Sequence, residues 1–256
     1  MKLLGLTSVT FRHLSCDEII RIAKENGLSG IEWGADVHVP PGDVEKARIV
    51  RKNTENNGLS VFSYGSYYKT GEQPDIRETF RPVLDTAVAL GAPIIRVWAG
   101  SQGSAEAAEI DRGQFEASVR DTRIIADMAS AQDVTVAFEY HRGTLTDTAE
   151  SALRLLREVG RENVKAYWQP NPEITVAQNL SELSMVLPCL TNVHVFYWDK
   201  NNVRLPLRDG EADWRIYLSA ISKKTEAGAL IFEFVKDDKA EQLRLDTKAF
   251  KRWCEK

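Results

Sequence analysis

The chain has 256 residues, of which 43% are hydrophobic and 27% are charged, and its formal net charge is −4. This balance is typical of a globular protein, and the length is close to that of one barrel of eight strands and eight helices. The mild negative charge argues against nucleic acids and anionic membranes as partners, because both bind basic patches. No apolar run approaches the roughly 18 residues that span a bilayer.

The chain also lacks the marks of export. Met1–Thr7 does not have the layout of a signal peptide, since its apolar stretch is short and no small-residue cleavage site follows. Cys16, Cys189 and Cys254 are scattered without the paired spacing of a zinc ribbon or a disulfide framework. We therefore expect a cytoplasmic protein with reduced thiols.

Short apolar runs alternate with longer segments of helical periodicity along the whole chain. Most runs are apolar throughout, which is typical of parallel strands that are covered on both faces. Strict alternation of strand and helix predicts a parallel α/β sheet, and eight strands favour a single (β/α)8 TIM barrel over residues 1–256. A doubly wound sheet is the competing architecture, but no glycine-rich phosphate loop follows the first run. The predicted strands are Leu3–Thr7, Gly30–Trp33, Ser60–Tyr64, Ile94–Trp98, Val134–Phe138, Val164–Trp168, Val193–Phe196 and Leu230–Phe234.

Polar residues stand at or near the ends of the last four predicted strands: Glu139, Gln169, His194 and Glu233. A buried carboxylate is costly unless it is paired, protonated or bound to a metal. Because strand ends converge at the C-terminal face of a barrel, these four side chains should meet there. Taken singly, a strand glutamate is more often a salt-bridge partner, and a histidine in an apolar run is more often a hydrogen-bonded core residue. Their joint occurrence favours a site for one divalent cation.

These residues resemble the xylose isomerase-like TIM barrel superfamily, which includes sugar isomerases and epimerases, inosose dehydratases and family-2 apurinic endonucleases. The resemblance covers nearly the whole chain and implies one metal ion, held by Glu139, Gln169, His194 and Glu233. Mn²⁺ is favoured, with Mg²⁺, Co²⁺ or Zn²⁺ as alternatives. Gln169 departs from the family, which usually has Asp there, and an amide oxygen binds a cation more weakly than a carboxylate. The resemblance is carried by Gly30-Ile31-Glu32-Trp33, Glu139-Tyr140-His141, His194, Leu207–Trp214 and Glu233.

Four further residues are candidates for substrate binding: Glu32, Trp98, His141 and Arg204. Glu32 ends the second strand, where a substrate hydroxyl or His13 would meet its charge, and a structural ion pair is the alternative. His141 lies two residues after Glu139 and is expected on the same face. Arg204 would meet a phosphate or a carboxylate, unless it is only a solvated surface charge.

Aromatic residues near the strand ends are expected around the opening of the barrel. Tryptophan side chains there would stack on the face of a sugar ring, with core packing as the alternative for each. The tryptophans concerned are Trp33, Trp98, Trp168 and Trp198, and tyrosines Tyr64, Tyr67 and Tyr68 of the third loop would cover the opening.

The resemblance implies a metal-dependent isomerase or epimerase of a sugar, sugar phosphate or polyol. A metal bound to adjacent carbonyl and hydroxyl oxygens acidifies the carbon between them, and Glu139 and Glu233 would act as acid and base on the enediolate. A lyase of the inosose dehydratase type is the alternative, because the same enediolate can expel a leaving group. A sugar-binding barrel that has lost its metal is the non-catalytic alternative, and Gln169 is its best support. An apurinic endonuclease, which uses three metals and many histidines, is disfavoured by a total of four histidines. The resemblance also allows a homodimer.

Overall fold

Eight parallel strands form a closed barrel in which each strand pairs with its neighbour in sequence and β8 pairs with β1. The structure is a computed structural model that describes residues 3–104, 112–223 and 228–255. It confirms the predicted TIM barrel. The strands are β1 Leu4–Thr7, β2 Gly30–Gly34, β3 Ser60–Lys69, β4 Ile94–Trp98, β5 Thr135–Phe138, β6 Val164–Trp168, β7 Leu190–Val195 and β8 Leu230–Phe232.

Helices connect the strands and cover the outside of the barrel. Their ends follow local chemistry: Ser15 and Glu18 form the predicted capping box at the start of α1, and Gly91 ends α3 in the left-handed conformation. No helix in the described ranges is long and apolar enough to cross a membrane. The helices are α1 Cys16–Glu25, α2 Val44–Asn56, α3 Ile76–Leu90, α4 Arg112–Ser130, α5 Ala149–Val159, α6 Val176–Val186, α7 Glu211–Ile221 and α8 Ala240–Cys254.

Six strands differ from their predicted bounds, three of them by a single residue and three by more. β3 continues to Lys69 because its second half still pairs with β4, through Gly65 opposite Arg96 and Lys69 opposite Trp98. β7 begins earlier, at Leu190, and β8 ends earlier, at Phe232. Glu233 therefore lies just beyond its strand, at the mouth of the barrel.

Candidate metal and substrate site

The four polar residues of the last four strands meet at one end of the barrel. Glu139, Gln169 and Glu233 directly follow β5, β6 and β8, and His194 lies near the end of β7. One ligand atom each from Glu139, His194 and Glu233 lies within 4.8 Å of the others. Oε1 of Gln169 is 2.9 Å from Nδ1 of His194. The structure thus brings together all four residues that the sequence singled out as ligands.

The two ring nitrogens of His194 face different partners. Nε2 lies 3.2 Å from Oε1 of Glu32, which also accepts a hydrogen bond from Ser63 at its other oxygen. Nδ1 faces oxygens of Gln169, Glu233 and, at 3.9 Å, Glu139. If Nε2 donates its hydrogen to Glu32, the lone pair of Nδ1 points at this group of oxygens. The lone pairs of these atoms repel one another, and a cation placed among them would remove that repulsion.

Arg96, which the sequence analysis did not single out, is the cation at the centre of this network. It lies in β4 and is 2% exposed. Its Nη1 donates a hydrogen bond to Oε2 of Glu139, and its Nε lies 3.3 Å from Oε1 of Glu32. The signal was available in the sequence, because an arginine inside the apolar run Ile94–Trp98 is as unusual as a glutamate there.

The charges of the buried cluster do not balance within the protein. Burial alone would raise the pKa of Glu32, but Arg96 and His194 hold it well below its usual range, so Glu32 is ionised. By formal charge, the carboxylates of Glu32, Glu139 and Glu233 and the guanidinium of Arg96 sum to two negative charges. One divalent cation would neutralise them, so the residues present fit a divalent ion.

A cavity of about 220 Å³ opens above the cluster at the C-terminal face. It reaches three of the four candidate ligands, whereas His194 and Glu32 are fully buried behind its wall. The lining residues are Arg12, Tyr67, Arg96, Trp98, Glu139, Tyr140, His141, Arg142, Asp147, Gln169, Pro170, Asn171, Pro172, Phe196, Trp198, Glu233 and Phe234.

His141 faces this cavity as an oriented, uncharged base. Its ring stacks on Trp98 with centroids 4.5 Å apart, and its Nδ1 lies 2.6 Å from the carbonyl oxygen of Arg142. Nδ1 therefore carries the hydrogen, and Nε2 keeps its lone pair. Burial lowers the pKa of His141, which favours the uncharged ring at neutral pH.

Two strained aromatic residues border the same cavity. Tyr67 and Phe234 adopt left-handed backbone angles, with φ of 57° and 48°. Arg12 contacts both, donating a hydrogen bond to the Tyr67 hydroxyl at 2.8 Å and lying 5.5 Å from the Phe234 ring centre. Such strain costs about 1–3 kcal/mol per residue and is concentrated at functional sites.

The remaining sequence candidates lie in the cavity, in the core and at the surface. Trp98 and His141 line the cavity, but Glu32 is buried beside Arg96 and His194 rather than beside His13. Arg204 lies outside this cavity, pairs with Asp238 and packs 4.5 Å from the Phe234 ring centre.

The expected aromatic rim is only partly present. Trp198 and Tyr67 line the cavity. Trp33 and Trp168 are fully buried in the core, and Tyr64 is buried with its hydroxyl bonded to the Val39 carbonyl. Alternation along a strand sends neighbouring side chains to opposite faces, and these rings fall on the covered face.

Comparison with known proteins relates most of the barrel to one family. The sequence matches the model of the xylose isomerase-like TIM barrel over residues 20–253. A 3-dehydroshikimate dehydratase of Bacillus anthracis is 29% identical over 168 residues. That match covers 63% of this chain and 59% of the relative, which is less than two thirds of the relative's length.

Solved structures share the fold over nearly the full chain. The probable 3-DHS dehydratase of Bacillus anthracis involved in petrobactin synthesis superposes with a TM-score of 0.82 at 20% identity, covering 98% of this chain and 99% of that one. A D-allulose 3-epimerase from Methylomonas sp. superposes with a TM-score of 0.72 at 16% identity, covering 98% of each chain. At these identities the likeness establishes the fold and no more.

Proposed function

This chain belongs to the xylose isomerase-like TIM barrel family, and we propose that it is a metal-dependent dehydratase of a small hydroxylated ketone. The similarity in sequence to a 3-dehydroshikimate dehydratase makes 3-dehydroshikimate the first compound to test. Relatives of this fold include both epimerases and a dehydratase, so the family alone leaves the outcome of the reaction open.

One divalent ion, with Mn²⁺ favoured, would be held by Glu139, Gln169, His194 and Glu233. The fit rests on the three oxygens that face Nδ1 of His194 and on the two uncompensated negative charges of the cluster. Such an ion polarises a carbonyl oxygen and so acidifies the neighbouring C–H bond of the substrate. Glu32 would accept the Nε2 hydrogen of His194 and thereby fix its tautomer.

The engagement of Glu139 by Arg96 is the observation that carries the proposal. One Glu139 oxygen accepts a hydrogen bond from Arg96 and the other faces His194, so neither is free to remove a proton from substrate. Glu233 and His141 line the cavity with a lone pair available for proton transfer, and we assign that role to them. Asp147 also lines the cavity, but its Oδ2 accepts a hydrogen bond from the Ser104 backbone.

Dehydration needs one proton to move from carbon to oxygen. Glu233 or His141 takes the proton from the carbon next to the carbonyl. The same group, now protonated, can then donate that proton to the departing hydroxyl, which leaves as water. The carbonyl would return as the new double bond forms, so the sum of the reaction is the loss of one water molecule.

A carbohydrate isomerase or epimerase is the second candidate. It is supported by the convergence of two carboxylates, Glu139 and Glu233, in one group of potential ligands. Epimerisation requires groups on both faces of the enolised carbon, and Glu139 would serve only after it had left Arg96.

The test is incubation of Mn²⁺-loaded protein with 3-dehydroshikimate, D-allulose and inososes in heavy water, followed by proton NMR. We expect loss of water from 3-dehydroshikimate, slowed about 10²–10⁴-fold by Glu233→Gln and retained by Glu241→Gln, a matched change at an exposed ion pair with Arg244. Deuterium exchange or epimerisation without elimination would favour the second candidate. Absence of metal binding together with absence of turnover would contradict both.

A further inference from the structure

We propose that Arg96 is a positioning residue that reduces the negative charge Glu139 offers to a bound cation, so that the site holds its divalent ion loosely. The proposal rests on the assignment of Glu139 as a metal ligand under the proposed function. It adds a role for a residue that touches the ligand rather than the ion.

Two residues of β3, Gly65 and Tyr67, lie against the guanidinium of Arg96. Gly65, its partner in the register between β3 and β4, leaves the space that the side chain occupies. A Cβ atom at Gly65 would lie 2.6 Å from Nη2 of Arg96, so any side chain there would force the guanidinium to move. The ring of Tyr67 lies 5.8 Å from the guanidinium carbon and covers it from the same strand.

Arg96 contacts two carboxylates, of which one lies in the core and the other lines the cavity. Glu32 already supplies a buried partner, because its Oε1 is 3.3 Å from Nε, and a purely structural ion pair would need nothing more. The second contact, from Nη1 to Glu139, reaches a residue that lines the cavity. Both members of this contact are almost fully buried, so solvent screens the interaction little.

The charge of Arg96 and the amide of Gln169 act in the same direction. A guanidinium hydrogen-bonded to Glu139 draws electron density from that carboxylate, and Gln169 brings an uncharged oxygen where a carboxylate is usual in the resemblance drawn above. Charge count helps to set cation affinity, so both features weaken binding. Both also leave the ion more electron-deficient, which strengthens its pull on a substrate carbonyl.

Calorimetric titration of the metal-free protein with Mn²⁺ tests the proposal without substrate. Arg96→Gln should bind Mn²⁺ at least about tenfold more tightly, because a cation next to a ligand is removed. Arg96→Lys keeps the charge and should stay within about threefold of the unaltered protein. Arg161→Gln, which breaks an exposed ion pair with Asp127, is the matched control and should change nothing.

The direction of the change separates this role from a structural one. If Arg96 only supports the barrel, its loss disorders Glu139 and weakens the binding of Mn²⁺. Unchanged or weaker binding by a folded Arg96→Gln protein therefore overturns the proposal. Failure of the unaltered protein to bind Mn²⁺, Mg²⁺, Co²⁺ or Zn²⁺ would instead overturn the proposed function.

A double variant covers the case in which Arg96→Gln does not fold because Glu32 is left unpaired. Glu32→Gln weakens Mn²⁺ binding by removing a nearby negative charge, and Glu32→Gln/Arg96→Gln removes both members of the buried pair. The double variant should recover at least about tenfold in affinity over Glu32→Gln alone. No recovery overturns the role of Arg96.

Discussion

Replacing Gln169 by aspartate should tighten metal binding and destabilise the metal-free protein. The change adds a negative charge where Gln169 now lies 2.9 Å from Nδ1 of His194 and faces the same space as Glu139 and Glu233. A third carboxylate attracts a divalent ion more strongly, but without the ion it is repelled by the other two.

The size of the effect follows from the spacing of the ligand atoms. Two unit charges about 4 Å apart interact by about 4 kcal/mol at an effective dielectric constant of about 20, and by about twice that when one is divalent. The ligand atoms of Glu139, His194 and Glu233 lie within 4.8 Å of one another, so the new charge would act at similar range. The metal-free site would take up a proton to relieve the repulsion between its carboxylates. Releasing that proton when the ion binds offsets most of the added attraction. We expect about 1.4–2.8 kcal/mol in net binding, which is about ten- to hundredfold in Kd.

Calorimetry of the metal-free protein with Mn²⁺, in two buffers of different ionisation enthalpy, measures both the affinity and the protons released. Asn171→Asp is the matched control, because it adds the same charge two residues away, where Oδ1 of Asn171 accepts from the Glu173 backbone. It should change Kd by less than about threefold, since it does not face His194. Equal affinity in Gln169→Asp and the unaltered protein would refute the assignment of Gln169 as a ligand.

Three further predictions concern proton transfer and stability. Glu233→Gln should slow turnover by about 10²–10⁴-fold, the usual contribution of a general acid or base, without altering the far-UV circular dichroism; full turnover would remove Glu233 from the mechanism. Burial lowers the pKa of His141, so the acidic limb of the pH–rate profile should lie below the value of about 6.5 for a free histidine and vanish in His141→Gln; a limb above that pH contradicts this. Burial raises the pKa of Asp246 to about 6, so its stabilising contribution is present at low pH and is lost as the pH rises through that value. From pH 4 to pH 8, the free energy of unfolding of Asp246→Asn in urea should therefore rise by about 2 kcal/mol relative to that of the unaltered protein. A difference in stability that is independent of pH would contradict the assignment.

The sequence predicted the barrel because each strand is a short apolar run bounded by helix signals. Capping at Ser15 and the left-handed glycine at Gly91 are local effects, so residues close in sequence determine them. Strand ends were less predictable. β3 runs on to Lys69 because pairing with β4 continues, and pairing between strands is not encoded within either strand alone.

The candidate site was predictable to the extent that polar residues interrupt apolar strands. That signal found Glu139, His194 and Glu233, and applied to β4 it would also have found Arg96. The partner of Glu32 could not be found in this way, because it depends on which side chains meet across the barrel. Trp33 lies in the core because it is the neighbour of Glu32 in β2 and points to the opposite face.

The hydrogen bond between Glu32 and His194 has a consequence for the order of folding. These residues are 162 positions apart in the chain, and they come from β2 and β7. Contacts so distant in sequence form late, because a long loop must close, at a cost in chain entropy, before the contact can stabilise the chain. The ligand group is therefore incomplete until the ring of strands closes, and a metal ion cannot nucleate this fold as it does in small zinc domains. In a refolding experiment, added Mn²⁺ should leave the folding rate almost unchanged and slow unfolding instead, because the ion must leave before the barrel opens.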